Sequence, residues 1–267
     1  MRVMGTGRVL FAISFAVIGG FSIGLHGFAR AWELLPKWLM GNEALVIVSG
    51  AILVAGGLAL LVPRTARGGA LVLTAALFLR LLVLHMPRAV AHPLIEAVWE
   101  SMSENLIYIG GAWTIFAMLS HEFGARMRSA SLHAGRIIFA LALPAIGLSH
   151  FFYLDQTASL VPSWIPLHVP LAYFTGAAWI AASIGILFGL LPRLAATLTA
   201  IMVSLFTLLI WVPMVIALPT NVSNLSEICA SIAITGAAWA VAESYRTRPS
   251  SRFAGGRKSA THDIAVA

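Results

Sequence analysis

The residues that invite chemistry are few and lie close together in the sequence. Arg80 sits seven residues, roughly 10 Å along a helix, before Pro87. Glu104 lies about five residues into the following apolar stretch, at a similar depth. Arginine in the middle of a bilayer costs about 2.5–3.5 kcal/mol even on a lenient insertion scale, so it must face the interior and meet a partner. Glu96, Glu100 and Glu104 are spaced i, i+4, i+8 and share one helix face with a modest drift. Three such carboxylates repel one another unless cations or protons intervene. Arg80, helped by Arg88, is their natural counter-ion, and His85 stands near the mouth of the group. Two readings stay open for this set (Arg80, His85, Arg88, Glu100, Glu104). One is a buried clamp fixing a helical hairpin. The other is an anion, quinone or proton site opening outward.

Other constellations carry less. His26, His85, His92, His150 and His168 fall near outer helix ends or loops, but no metal-motif spacing links them. Haem needs inward axial ligands, and only His26, His85 and His150 lie on helices, so metal and haem are both disfavoured as cofactors. Cys229 is the single cysteine, which excludes a disulfide within the chain and points to small-residue packing. No glycine loop followed by Lys suggests phosphate binding.

The elements that must position these residues are membrane spans. The chain has 267 residues, 60% hydrophobic and only 10% charged, with a mean hydropathy of +0.92. A soluble domain carries about 25% charged residues, so a cytosolic enzyme, a secreted domain and a disordered chain are excluded. The fold class is all-α: a polytopic membrane protein with eight transmembrane helices. The expected spans are 9–28, 44–63, 67–87, 99–120, 136–153, 168–190, 194–217 and 224–243, each near the roughly 20 residues a bilayer requires.

The net charge of +7 marks an orientation rather than a nucleic-acid partner. Thirteen of the seventeen Lys and Arg residues fall on the side holding both termini, and three on the other. Both termini are therefore expected in the cytoplasm, with the chain in the inner membrane and lipid as its surroundings. Arg2, Arg8 and the Ala29-Arg30-Ala31 segment imitate a signal peptide, but the apolar run exceeds the usual signal core and is expected to be a structural helix. The stretch 246–267 reads as a flexible basic cytoplasmic tail.

The sequence also repeats itself. Gly7-Arg8-Val9-Leu10-Phe11-Ala12 returns as Gly135-Arg136-Ile137-Ile138-Phe139-Ala140, and beyond it an offset of 126 pairs Pro36 and Trp38 with Pro162 and Trp164. The same offset pairs Arg67 with Arg193, Pro87 with Pro213, and Trp113 with Trp239. Two parallel units follow, residues 1–128 and 129–245, since four helices per unit preserve topology. Arg80 corresponds to Phe206 and Glu104 to Ala230, so both charges are absent together from the second unit.

Leu160-Val161-Pro162-Ser163-Trp164-Ile165-Pro166, then Phe174-Thr175-Gly176 and Pro192-Arg193-Leu194-Ala195-Ala196, resemble the DoxX-like membrane proteins. Leu84-His85-Met86-Pro87-Arg88 and Gly110-Gly111-Ala112-Trp113 carry the same resemblance in the first unit. The family unit has four helices, so the resemblance covers about residues 7–245. Some relatives are associated with thiosulfate:quinone oxidoreductase or with oxidative-stress proteins. The resemblance thus implies a redox-associated membrane subunit, a quinone or small oxidant as its ligand and an oxidoreductase subunit as its partner. The motif departs from the pattern in the second unit, where His85 becomes Trp211 and Arg88 becomes Met214. The alternatives are a carrier for a small lipophilic or anionic solute, and a non-catalytic scaffold.

Overall fold

The computed structural model describes residues 5–25 and 42–246. The readings placed on His26, on residues 29–41 and on the tail beyond Arg246 lie outside them. The described residues form nine helices and no strand: α1 Thr6–Gly24, α2 Glu43–Leu61, α3 Ala66–Ala91, α4 Glu96–Leu119, α5 Ala125–Phe152, the short α6 Leu154–Leu160, α7 His168–Leu187, α8 Pro192–Ala217 and α9 Val222–Ser244. Seven of them are long and apolar enough to cross a bilayer. The protein is a polytopic all-α membrane protein. The eighth long helix, α4, spans 24 residues and about 36 Å, but Glu96, Glu100, Glu104 and Asn105 lower its hydropathy. Burial offsets that polarity, since most of its second half is enclosed by other helices.

Two expectations are corrected in detail. The expected span 136–153 begins much earlier, because residues from Ala125 onward are already helical, and Pro144 sits inside α5 without interrupting it. The expected span 67–87 extends to Ala91 and contains a π-helical turn at Leu81–His85. Pro87 explains that turn: it has no N–H, and its ring would clash with the carbonyl four residues earlier, so the helix widens there. α8 does the same at Thr207–Trp211, ahead of Pro213.

Helix bounds recur at the sequence offset. Ala66–Arg80, Leu81–His85 and Met86–Ala91 coincide, 126 residues on, with Pro192–Phe206, Thr207–Trp211 and Val212–Ala217. Contacts recur as well. α1 packs on α2 and α5 on α7, while α3 packs on α4 and α8 on α9. Across the chain α1 packs on α9, α4 on α5, and α4 meets α9. The helices therefore form a ring pinched at its centre by α4 and α9, whose small residues let backbones approach. A Cβ added to Gly110 on α4 would lie 2.6 Å from the Phe139 nitrogen on α5, and one on Gly236 of α9 would lie 2.5 Å from the Phe11 nitrogen on α1. No side chain fits at either crossing.

At the end of the bundle holding Gly5 and Tyr245, basic residues tie helices together. Arg136 donates to the Ser244 hydroxyl and carbonyl at 2.8 and 2.7 Å and lies 3.9 Å from the Tyr245 ring centre. Arg67 meets Glu122 at 2.5 Å and donates to Ser120 at 3.2 Å. Arg67 and Arg136 thus lock helix ends.

Candidate functional site

One face of α4 builds the site. Ser101, Glu104, Asn105 and Tyr108 follow the i, i+3, i+4, i+7 pattern of a single helical stripe and line one internal cavity. α3 supplies Arg80 and His85 from either end of its π turn, α1 supplies Phe15, Ile18 and Phe21, and α9 supplies Ser226, Cys229 and Ala230. The cavity has a volume of about 30 Å³, enough for about two waters. One wall is apolar and aromatic, the other polar and charged.

The groups are held from behind. Tyr108 is 7% exposed, packs edge-on against Phe15 at 5.4 Å and donates its hydroxyl proton to Glu104. Arg80 and Glu104 both act electrostatically on that phenol. Asn105 Nδ2 donates 3.0 Å to the Leu77 carbonyl at the entrance to the π turn, which fixes α3 against α4. The counterpart in the other half is built differently. There Thr207 donates to the Val203 carbonyl at 2.9 Å and meets Ser231 at 2.6 Å. With its amide nitrogen so engaged, Asn105 leaves Oδ1 buried with no hydrogen-bond partner, in a residue that lines the cavity and is 2% exposed. Ser14 on α1 donates to the Cys229 carbonyl on α9, tying the two helices together.

Of the residues expected together, Arg80, His85 and Glu104 line the cavity, whereas Glu100 and Arg88 do not. A helix advances 100° per residue, so each i+4 step drifts by about 40°. That drift carries Glu100 off the cavity face toward Ser149 of α5. Arg88 lies beyond the π turn, and it is half-buried. Cys229, read as a packing residue, does line the cavity wall.

The sequence reading missed Tyr108, Asn105, Ser101 and Ser226. It also gave no place to Glu227, which is 8% exposed within α9. The rule that singled out Arg80 applies to Glu227 too: an ionisable residue within a span seeks an interior partner. Among the described residues no group of three His, Cys, Asp or Glu side chains could hold a metal ion. His150 instead contacts the Ile146 carbonyl through Nδ1 at 2.8 Å.

Comparison with known proteins places part of the chain. No curated protein and no solved structure matches it. A family model described as DoxX matches residues 131–212, which run from α5 to the π turn of α8. The cavity-lining residues lie outside that stretch. The chain is therefore an integral membrane protein of which residues 131–212 are similar to the DoxX family.

Proposed function

We propose that this chain is a redox-associated subunit of the inner membrane whose first unit binds a small hydrogen-bonding oxidant between Arg80 and Glu104. In this reading the chain comprises two parallel four-helix units, 1–128 and 129–245, with eight crossings and both termini in the cytoplasm. The recurrence of helix bounds and π turns at one offset supports the two units, and the skewed arginine distribution supports the orientation. Family resemblance supports the redox association, with an oxidoreductase subunit as partner.

The observation that carries the ligand class is the size and lining of the cavity. An apolar cavity that accepts benzene has about 150 Å³. The cavity here, about 30 Å³, admits no quinone ring unless the helices part. A peroxide-sized molecule suits it: the aromatic wall excludes bulk water, while Arg80, Glu104 and the Asn105 carbonyl oxygen offer both donors and acceptors. Quinone is thereby the less favoured ligand of the two the resemblance implies.

The test is complementation of a deletion strain challenged with hydrogen peroxide. E104Q and R80M are expected at wild-type abundance yet unable to restore tolerance. Restoration by both variants refutes the reading. Stabilisation of the purified protein by a short-chain quinone refutes the size argument. A clamp reading is favoured by one observation, the Asn105 bond to the Leu77 carbonyl, and it predicts loss of abundance and thermal stability in the same variants.

A further inference from the structure

Both halves of the chain tie a helix to the carbonyl that opens a π turn, but with different side chains. In the first, Asn105 of α4 donates through Nδ2 to the Leu77 carbonyl at 3.0 Å, and the same carbonyl accepts the Leu81 N–H. At the offset of 126, Leu77 corresponds to Val203, Leu81 to Thr207 and Asn105 to Ser231. The Val203 carbonyl accepts the Thr207 N–H and, at 2.9 Å, the Thr207 hydroxyl. The Ser231 hydroxyl of α9 lies 2.6 Å from that of Thr207 and 3.5 Å from the carbonyl. Hydroxyls are thus enough to make this tie, and neither Thr207 nor Ser231 is left with an unpartnered buried atom.

Asn105 brings more than the tie needs. Its amide carries a carbonyl oxygen as well as donors. The Leu77 carbonyl fixes which way the amide faces, because turning it over would set oxygen against oxygen. Oδ1 is therefore the end left over, in a side chain that is 2% exposed and lines the cavity, and it has no hydrogen-bond partner. Tyr108 does not supply one, since its proton goes to Glu104. A buried acceptor without a donor is costly to keep, and Ser231 shows that the tie does not demand it. Only an O–H or N–H carried into the cavity satisfies Oδ1, and a volume of about 30 Å³ admits a molecule no larger than about two waters.

We propose that Asn105 is the specificity-determining residue of this cavity. Its Oδ1 accepts a hydrogen bond from the ligand, and so selects hydrogen peroxide over dioxygen and superoxide, which are of like size but carry no proton. The choice of peroxide rests on the oxidant reading above. The acceptor role of Oδ1 rests on the tie and the cavity alone. Arg80 lines the same space and is the donor for the ligand's other oxygen. No covalent bond changes: the residue sorts ligands by the proton they carry.

The experiment is infrared spectroscopy of the purified full chain in lipid, with asparagine side-chain carbonyls labelled with carbon-13. The chain has four asparagines, and the band missing from N105S or N105D is that of Asn105. Hydrogen peroxide is expected to move this band saturably to lower frequency. Xenon, which enters small apolar cavities and carries no proton, leaves it in place. A band already at its hydrogen-bonded position in buffer and unmoved by peroxide means an ordered water only, and overturns the proposal. Equal displacement by xenon reports cavity filling and overturns it too. A second arm uses Leu81→Thr combined with Asn105→Ser, which copies the tie of the other half and deletes the acceptor. This variant is expected to melt with the wild type, yet to need about 5–10-fold more peroxide for the same thermal stabilisation. An unchanged peroxide requirement overturns the proposal. The infrared arm reads the wild type and decides even where the double variant folds poorly. A shifted band with no peroxide phenotype in the deletion strain sinks the redox reading and leaves the acceptor role standing. Restored tolerance with an unmoved band does the reverse.

Discussion

Gly110→Ala is the perturbation whose effect can be worked most directly from the structure. Alanine in mid-helix is favoured over glycine by about 1 kcal/mol, so the intrinsic effect is stabilising. The new methyl carbon, however, would stand 2.6 Å from the Phe139 nitrogen and 2.9 Å from both the Phe139 Cα and the Gly135 oxygen. Ordinary contact begins near 3.4 Å, so α4 and α5 must separate by most of an ångström. Every obstructing atom is backbone, so no side chain can swing aside. Overpacking typically costs about 1–3 kcal/mol, and here the upper part of that range applies. After subtracting the helix gain, about 2 kcal/mol of net destabilisation remains. For a chain of this size that is a fall of about 4–8 °C in the melting temperature, measurable by thermal unfolding in detergent. Gly20→Ala is the control, because a Cβ there meets nothing within 4 Å; it should melt at or above the wild type. If Gly110→Ala melts no lower than Gly20→Ala, the tight crossing of α4 and α5 is not what holds these helices together.

Two further outcomes follow from the same contacts. Asn105→Ala removes the side-chain bond to the Leu77 carbonyl and should cost about 1 kcal/mol, while Ser231→Ala should cost less, because Thr207 still donates to Val203 at 2.9 Å; paired melting curves make the comparison. Arg67 and Glu122 approach to 2.5 Å, but their side chains are 47% and 51% exposed. Glu122→Gln should therefore change stability by less than about 1 kcal/mol, and less still at high salt, as read by melting at two ionic strengths.

The long helices were legible because span length and apolar composition survive any packing arrangement. α7 starts at His168 as expected, and α2, α8 and α9 begin within two residues of their expected positions. The π turns were not legible, although Pro87 and Pro213 mark them, because a proline can kink, end or widen a helix and only the surrounding packing decides which. Arg80 and Glu104 share a depth in the sequence and are absent together from the other half, and both line the cavity. Glu100 could not be separated from Glu104 in the same way: a drift of about 40° matters only once the neighbouring helices are known. Tyr108 and Asn105 looked like ordinary residues of an amphipathic stripe, and what they do depends on Phe15 and on the Leu77 carbonyl.

The seam between α1 and α9 also has a consequence for how the protein is made. Gly7 and Gly236 face each other across it, so a helix made early is matched to one made some 230 residues later. At about 5–20 residues per second, the later partner emerges on the order of ten to fifty seconds after the earlier one. Throughout that interval the glycine face of α1 has lipid or an insertion factor against it instead of its final neighbour. Assembly of the ring is thus a closing event that waits for the ribosome, and a chain cut short before Val222 would keep α1 while losing the surface it was shaped to meet.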